Sequence, residues 1–277
     1  MTETFAHDLP QELAFDHDRA TDDIVAFLRR RLDAASLETY VLGLSGGVDS
    51  ACAAALAVRA LGPERLVTVK MPARTSSPAS RADAEAVEAA LGIPARQRLL
   101  IEVGPMEDGW LRAVGDAEPA PLRRGNVAAR ARMIVLWDLA ARHRGIVLGT
   151  ENRTEGLLGY FTIYGDAGSA VEPIAGLYKT QVWSLSRHLG VPSQVIDKPP
   201  TADLWVGQTD EDELGARYAD ADRVLYWSID RGLQPDDVVE QTGLLPDVVQ
   251  RVLARYRATE FKREVPYRHD VPVTAAG

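Results

Sequence analysis

The sequence has little cysteine, little histidine and no excess of basic residues. Of its 277 residues 1 is cysteine and 5 are histidine, so an intrachain disulfide and a cysteine-based zinc site are both excluded. The histidines show no metal-ligand spacing, and Cys52 lies in an alanine-rich segment where a buried core residue is expected rather than a nucleophile. Asp and Glu number 40 against 31 Lys and Arg, a formal net charge of -9. Nucleic acid is therefore not expected as a partner, because phosphate binding needs clustered positive charge.

The sequence also has no long hydrophobic run. The longest candidate, residues 51–58, ends at Arg59 and is far shorter than the about twenty apolar residues that cross a bilayer. The first eighteen residues contain acidic side chains but no Lys or Arg, the reverse of the basic start of a secretory signal. We therefore expect a cytoplasmic protein without a membrane partner.

What is present is an alternation of branched apolar runs with longer helical patterns, as parallel strands alternate with crossover helices. The pattern predicts strands at residues 40–44, 66–71, 99–103 and 146–148. It predicts helices at 51–61, 80–91 and 126–143, the second opened by a capping box from Ser80 to Asp83. The fold class is therefore predicted to be α/β, with a doubly wound, mostly parallel sheet in a three-layer sandwich. Ligands bind beyond the carboxyl ends of such strands, so the loops after Leu44, Met71 and Leu148 should share one site.

The character of the chain changes at residue 205, where it becomes acidic and helical. We expect an N-terminal extension at 1–21, a main domain at 22–204, an acidic loop and helical part of the same domain at 205–263, and a tail at 264–277. Residues 236–257 look superficially like a DNA-binding helix-turn-helix. A helical hairpin packed on the main domain is the preferred interpretation, because the second helix begins with Asp247 and offers only three arginines, Arg251, Arg255 and Arg257.

A glycine-rich loop joins the first predicted strand to the alanine-rich helix. Its residues are Gly43, Leu44, Ser45, Gly46, Gly47, Val48, Asp49 and Ser50. Small residues let backbone N–H groups turn inward, the serines add hydroxyl donors, and the helix N-terminus adds partial positive charge, so the loop predicts a phosphate site. Two other phosphate loops are excluded, because no Gly-Lys-Ser/Thr follows and the spacing is not Gly-x-Gly-x-x-Gly. The alternative is a glycine-rich turn without a ligand. Asp49 beside phosphates is unfavourable unless a divalent cation bridges them, which indicates ATP with Mg²⁺.

This loop resembles the pyrophosphate loop of the N-type ATP pyrophosphatases. Those enzymes adenylate a substrate oxygen, release pyrophosphate and let a nitrogen or sulfur nucleophile expel AMP. Further segments resemble ammonia-dependent NAD synthetases, and the match runs from about residue 22 to 263: 149–155, 159–162, 164–166, 173–174, 177–181 and 198–204. Residues 210–215 and 260–263 are similar to the acidic loop and the C-terminal substrate contact of that family. The resemblance implies an adenine nucleotide alpha hydrolase-like, Rossmann-like fold.

The resemblance also implies a reaction and a set of site residues. The nicotinate carboxylate of deamido-NAD would attack the α-phosphorus of ATP, and ammonia would then displace AMP to form NAD. The implied ATP contacts are the loop 43–50, Thr150, Lys179 and Thr201, and the implied Mg²⁺ ligands are Asp49 and Glu155. Catalytic roles fall to Asp49, to Lys179 for charge stabilisation on the leaving pyrophosphate, and to Asp166 for the incoming ammonium.

Each of these residues also has a simpler interpretation. Lys179 could be a solvated lysine in the first turn of a helix, although it would then oppose the helix dipole with no anion to justify it. Glu155 could be an ordinary acidic residue favoured in a first turn. Asp166, which follows a glycine, could simply form a turn.

The dinucleotide positions match the family less completely. Arg130, Tyr160 and Lys262 fit it, with Tyr160 and Phe161 able to stack on a pyridine ring unless they belong to the core. Three positions depart from the pattern: Ile163, Ala170 and Phe261 stand where the family commonly has a polar residue, an acid and a histidine. We expect deamido-NAD to remain the acceptor with altered affinity. The alternatives are a superfamily member that amidates or thiolates another substrate, and a noncatalytic nucleotide sensor, which would not need Asp49, Glu155 and Lys179 together.

The nitrogen source is expected to be free ammonia. Glutamine-using relatives carry an N-terminal amidase domain with a nucleophilic cysteine, whereas only 42 residues precede the loop here and Cys52 follows it. A separate glutaminase partner remains open. The resemblance further implies a homodimer.

Overall fold

The sheet at the centre of the molecule has four parallel strands. The computed structural model describes residues 8–116, 118–201 and 209–269. Its strands are β1 (Thr39–Gly43), β2 (Leu66–Lys70), β3 (Arg98–Leu100) and β4 (Gly145–Leu148). They lie in the order β3-β2-β1-β4, and every neighbouring pair is parallel. The predicted fold class is confirmed.

Helices cover both faces of this sheet. They are α1 (His17–Ala35), α2 (Val48–Leu61), α3 (Pro78–Ala90), α4 (Gly104–Ala113), α5 (Pro121–Arg142), α6 (Arg153–Leu158), α7 (Lys179–His188), α8 (Ser193–Ile196), α9 (Asp210–Leu214), α10 (Tyr218–Leu225), α11 (Pro235–Thr242), α12 (Pro246–Ala258) and α13 (Glu260–Arg263). Side chains alternate between the faces along each strand. Tyr40 and Leu42 therefore join one core with α1, α2 and α7, whereas Val41 joins a second core with Leu139 of α5. These two cores are the interfaces of the three-layer sandwich.

Three predicted boundaries need correction. Helix α3 begins at Pro78 rather than Ser80, because Ser77 is its N-cap and accepts a hydrogen bond from the Ala79 N–H at 3.2 Å. The capping box predicted from Ser80 to Asp83 is therefore wrong. Helix α5 begins at Pro121, five residues before the predicted start at 126. Strand β3 ends at Leu100, although backbone hydrogen bonds from Ile101 and Val103 continue along the edge of the sheet.

The helical part after residue 209 packs on the main domain. Helices α11 and α12 form a hairpin, and α12 buries Val249, Val252 and Leu253 in the larger core. The hairpin interpretation is confirmed, because the apolar face of α12 is used for packing. The boundary expected between 204 and 205, the start of the expected N-terminal extension (1–7) and the end of the expected tail (270–277) lie outside the described residues.

Two smaller predictions also have an outcome. Cys52 is fully buried in α2, as expected of a core residue. Within the ranges described, no helix has the length and apolar character needed to span a bilayer.

Candidate active site

The loops that follow β1, β2 and β4 line one cavity of about 660 Å³. Leu44, Met71 and Thr150 all contribute to its wall. The prediction that these three loops share a site is confirmed. Parallel strands bring their carboxyl ends to the same edge of the sheet, and the cavity lies beyond that edge.

The glycine-rich loop forms the floor of this cavity, and seven of its eight residues line it, the exception being Gly46. Gly46 has φ of 84°, and a Cβ atom there would lie 2.1 Å from the Ser80 carbonyl oxygen, so no side chain fits. The loop is ordered by its own hydroxyls. Ser45 Oγ lies 3.0 Å from Ser50 Oγ, and the Gly47 N–H donates to Ser45 Oγ at 3.2 Å. Helix α2 then begins at Val48 with its N-terminus at the cavity.

A buried lysine lies between two carboxylates at the end of this loop. Lys179 is 2% exposed, and its Nζ lies 2.5 Å from Asp49 Oδ2 and 3.1 Å from Glu155 Oε1. Asn152 donates through Nδ2 to the other oxygen of Asp49 at 2.9 Å. The interpretation of Lys179 as a solvated lysine is therefore wrong. Three residues that are distant in the chain meet at one point of the cavity.

Glu155 is a first-turn residue of α6, as its simpler interpretation has it, and it also lines the cavity. It is the third residue of α6 and forms a capping box with Asn152, whose side chain accepts from the Glu155 N–H at 3.0 Å. Its Oε2 accepts from the Asn152 N–H at 3.5 Å, while Oε1 contacts Lys179. The capping box thus fixes the rotamer that presents Glu155 to the cavity.

The charges in this cluster influence one another strongly. Burial raises the pKa of Glu155 despite the neighbouring ammonium, and the charges of Asp49 and Asp210 add to the effect. Burial opposes the charged form of Lys179, but Asp49 and Glu155 together hold the pKa of its ammonium above the ordinary value. Lys179 is therefore charged at neutral pH. Its Nζ also lies 5.1 Å from the centre of the Tyr218 ring, a cation–π distance.

Asp166 lies in the cavity wall, and two further acidic residues, Glu151 and Glu172, lie near it outside the lining. Asp166 accepts a hydrogen bond from the Thr162 N–H at 2.8 Å and is exposed to the cavity, and the protein packed against the carboxyl raises its pKa. Behind it, Ser169 donates to Glu172 Oε1 at 2.5 Å, and the Glu151 N–H donates to Glu172 Oε2 at 3.0 Å. Burial raises the pKa of Glu151 to about 8 and that of Glu172 to about 7. The sequence analysis missed both glutamates. An acid between two apolar residues, as in Val171-Glu172-Pro173, was the available signal.

Most of the remaining predicted residues also reach the cavity. Those in its wall are Thr150, Thr201, Arg130, Tyr160, Ile163 and Lys262. Arg130 Nε donates to the Ile163 carbonyl at 3.3 Å, and the Tyr160 hydroxyl lies 2.9 Å from both Asp210 Oδ1 and Glu213 Oε2. Lys262 Nζ donates to the Gly159 and Phe161 carbonyls. Ala170 and Phe261, by contrast, are exposed and do not line this cavity.

Comparison with known proteins agrees with this arrangement. The family model described as NAD synthase matches residues 20–266. The chain belongs to the NAD synthase family. An NH(3)-dependent NAD(+) synthetase of Trichlorobacter lovleyi is 45% identical over 243 residues, which cover 88% of this chain and 87% of the relative. One of Methanosarcina mazei is 43% identical over 253 residues, which cover 91% and 97%. The family resemblance inferred from the sequence is confirmed.

Two solved structures share the fold of this chain. The NMN synthetase from Francisella tularensis has a TM-score of 0.81 and 30% identity, and the match covers 93% of this chain and 100% of that one. The NH3-dependent NAD synthetase from Campylobacter jejuni, in complex with the nitrate ion, has a TM-score of 0.76 and 29% identity, with coverage of 92% and 100%. The glycine-rich loop and the lysine cluster both lie within residues 20–266, which the family model matches.

Proposed function

We propose that this protein amidates deamido-NAD to NAD with ammonia and ATP, releasing pyrophosphate and AMP. The observation that carries the proposal is the position of Lys179, buried between Asp49 and Glu155 at the end of a phosphate-type loop. A carboxylate does not react with ammonia directly, so it needs activation by a good leaving group. Adenylation supplies one, and it requires fixed positive charge where the pyrophosphate leaves.

Lys179 supplies that charge. Its ammonium is held by two carboxylates in a buried position, where the low local dielectric makes its attraction for a developing anion strong. It acts at the adenylation step, in which a carboxylate oxygen of the acceptor bonds to the α-phosphorus and the bond to pyrophosphate breaks. The backbone N–H groups of the loop and the N-terminus of α2 bind the phosphates beside it.

Asp49 and Glu155 would hold Mg²⁺. Their oxygens converge on a single cationic atom, Lys179 Nζ, which shows that the two carboxylates can share a cation. Proteins typically bind Mg²⁺ through one or two carboxylates together with substrate phosphates, so this donor set fits the ion. Asp210 is a third acidic residue near the same lysine, so the acids outnumber the positive charges in this cluster and a further cation would be favourable. When bound, Mg²⁺ supplies the charge that lets Asp49 lie close to phosphates.

Asp166 would receive the ammonium and take a proton from it. Its carboxylate faces the same cavity, and a raised pKa brings it closer to the range in which a carboxylate accepts a proton efficiently at neutral pH. Ammonia then attacks the adenylated carboxyl carbon, the C–O bond to AMP breaks, and the nitrogen releases its second proton to the departing AMP or to water, which leaves the neutral amide. Free ammonia is the donor in this scheme, whether it comes from solution or from a separate glutaminase.

The protein would act as a homodimer. Helices α4 and α5 expose large apolar side chains on the surface, and a monomer rarely exposes a large apolar patch. Those exposed by 40% or more include Trp110 at 56%, Leu122 at 63%, Ile134 at 55% and Trp137 at 42%. A second copy of the same face would bury them.

A second acceptor deserves a direct comparison. The Francisella tularensis relative is an NMN synthetase. Of the three positions that depart from the family pattern, Ile163 lines the cavity, whereas Ala170 and Phe261 do not. The corresponding acceptor would be nicotinate mononucleotide, which presents the same carboxylate without the adenylate half. We favour deamido-NAD because Arg130, Tyr160 and Lys262 all line the cavity.

The test is an incubation of the purified protein with ATP, Mg²⁺ and ammonium, in parallel with each acceptor. AMP, pyrophosphate and the amide product are followed by mass spectrometry. NAD formed in step with AMP supports the proposal, whereas amidation of the mononucleotide alone supports the second acceptor. ATP that stays intact with both acceptors would indicate a nucleotide sensor. Glutamine in place of ammonium is the control for the nitrogen source.

A further inference from the structure

Lys179 and Glu155 each stand at the start of a separate short helix, and a buried acid connects the two starts. Asp222 belongs to α10 and is fully buried. Its Oδ1 accepts a hydrogen bond from Thr154 Oγ1 at 2.6 Å. Its Oδ2 accepts from both the N–H and the hydroxyl of Thr180, each at 2.8 Å. Thr154 precedes Glu155 in α6, and Thr180 follows Lys179 in α7.

The connection extends to the backbone of the lysine itself. Thr154 Oγ1 accepts from the Lys179 N–H at 2.9 Å while donating to Asp222. The first N–H groups of a helix have no partner within the helix and need one from outside. In α7 the partners of two such groups, those of Lys179 and Thr180, are Thr154 and Asp222. A carboxylate in a third element therefore orders the first turn of the lysine helix.

Asp222 also shares its helix with the aromatic ring beside the lysine. Tyr218 lies four residues earlier on α10, so the two side chains share one face. The Tyr218 ring lies 5.1 Å from Lys179 Nζ, and its hydroxyl donates to Asp210 at 3.1 Å. One face of α10 thus contacts the Lys179 side chain through Tyr218 and fixes the backbone at the start of α7 through Asp222.

We propose that Asp222 is a positioning residue that fixes the start of α7 against the start of α6, and thereby sets the Lys179 ammonium against the Glu155 carboxylate. The proposal rests on the proposed function only for the role of Lys179 in adenylation, not for the way Asp222 positions it. Asp222 does not line the cavity. Its effect on turnover passes through Thr154 and Lys179. A misplacement of about 1 Å in a catalytic group can cost about a hundredfold in rate, so the effect should be large.

A matched pair of variants tests this path. Thr154→Val and Thr180→Val each remove one hydroxyl that donates to Asp222 and leave a side chain of nearly the same shape. Thr154→Val also removes the oxygen that accepts from the Lys179 N–H. Thr180→Val removes no acceptor of a helix N–H, because the backbone N–H of residue 180 can still donate to Asp222. We expect kcat for AMP formation to fall about ten- to a hundredfold in Thr154→Val and clearly less in Thr180→Val, with KM for ATP changed by less than about threefold in both.

Asp222→Asn is the third variant, and Val25→Ala in α1 is the control for lost stability. Asp222→Asn should lower kcat as Thr154→Val does, and the double variant should be no slower than the slower single one, because both act on one chain of hydrogen bonds. The Tm and the fraction folded are measured for the four single variants and for the double variant of Thr154 and Asp222. The proposal is wrong if Thr154→Val and Asp222→Asn lower kcat no more than Val25→Ala does at the same loss of Tm, because Asp222 would then act only through stability.

Amide hydrogen exchange gives a second readout that needs no turnover. In Thr154→Val and Asp222→Asn the Lys179 and Thr180 amides should exchange faster, while the amide of Leu185 in the same helix stays protected. Unchanged exchange at both positions would overturn the proposal even if the wild-type protein did not amidate deamido-NAD. A wild-type protein that turns over while all these variants keep its kcat would overturn the proposal and leave the proposed function standing.

Discussion

Lys179 Nζ lies 2.5 Å from Asp49 Oδ2, although the two residues are 130 positions apart in the chain. The carboxylate belongs to the part of the glycine-rich loop that opens α2, and the ammonium belongs to the first residue of α7. The contact joins an anion that would hold Mg²⁺ to a cation that would stabilise the leaving pyrophosphate. Both ends of the pair can be tested separately.

Asp49→Asn should leave the fold intact and slow pyrophosphate release by about a hundredfold or more, because the amide cannot hold a divalent cation as a carboxylate does. The matched control is Asp247→Asn, which changes the second residue of α12 just as Asp49 is the second residue of α2. Release of pyrophosphate is measured across a range of Mg²⁺ concentrations. Equal rates for Asp49→Asn and the control would exclude the proposed role.

Lys179→Met should keep ATP bound but reduce adenylation by about a hundredfold or more, because the charge is needed most in the transition state. Methionine keeps the length and apolar stem of the side chain. ATP binding is measured by calorimetry and adenylation by single-turnover AMP formation. A loss of binding with an unchanged single-turnover rate would place Lys179 in ground-state binding instead.

Gly46→Ala should damage the site, whereas Gly62→Ala should only lower stability. Both glycines have nearly the same φ, 84° and 83°, so both substitutions strain the backbone by about 1–3 kcal/mol. Only Gly46 has the Ser80 carbonyl 2.1 Å from the new Cβ, while Gly62 has nothing within 4 Å. We expect KM for ATP to rise at least about tenfold in Gly46→Ala and to stay near the wild-type value in Gly62→Ala.

Glu151 should make the fold less stable as the pH rises. Its pKa is raised from 4.5 to about 8 in the folded protein, so the folded state binds the proton more tightly than the unfolded state. The stability from this group is complete below pH 4.5 and is lost as the pH rises toward 8. The free energy of unfolding of Glu151→Gln, relative to wild type, should therefore increase between pH 5 and pH 8.5, as measured in urea. The exposed Glu260→Gln is expected to show no such trend.

Ile163→Lys should lower KM for deamido-NAD if the isoleucine merely weakens a contact with a phosphate or carboxylate of the dinucleotide. The Ile163 side chain lines the cavity, and its carbonyl accepts from Arg130, a bond that the substitution keeps. Ile163→Met provides a long side chain without charge. An unchanged KM in the lysine variant would refute this explanation of the departure.

Trp110→Asp should convert the protein to a monomer if the apolar face of α4 and α5 joins two copies. Trp110 is 56% exposed, so the substitution costs the isolated chain little. The mass in solution is measured by sedimentation. A monomeric wild-type protein would contradict the proposal, as would a variant that remains a dimer.

The positions of the glycine-rich loop and of the inner strands could be predicted from the sequence because these are local patterns. Strand β1 contains a short buried apolar run, and β2 is buried along its whole length although Thr68 and Lys70 interrupt its apolar residues. The loop lies between β1 and the alanine-rich α2. The predicted start of α3 is wrong because Ser77 and Ser80 are both possible N-caps. Pro78 favours Ser77, since proline is preferred at the first helical position.

Long-range partners could not be predicted in the same way. Asp222 receives its hydrogen bonds from residues 68 and 42 positions away, so no local pattern distinguishes it from a surface acid. Glu172 accepts a hydrogen bond from the Glu151 N–H because the chain returns beside β4 at Val171. The spacing of the two glutamates in the sequence does not reveal this contact.

The order of the strands has a further consequence for the choice of variants. From β1 the chain adds β2 and then β3 on one side, and it later returns to place β4 on the other. Connections that diverge in this way leave a crevice above β1, whatever side chains point into it. Substitutions at Asp49, Lys179 or Asp166 should therefore leave the crevice open. Such inactive variants are suitable for trapping ATP and its acceptor together in a crystal.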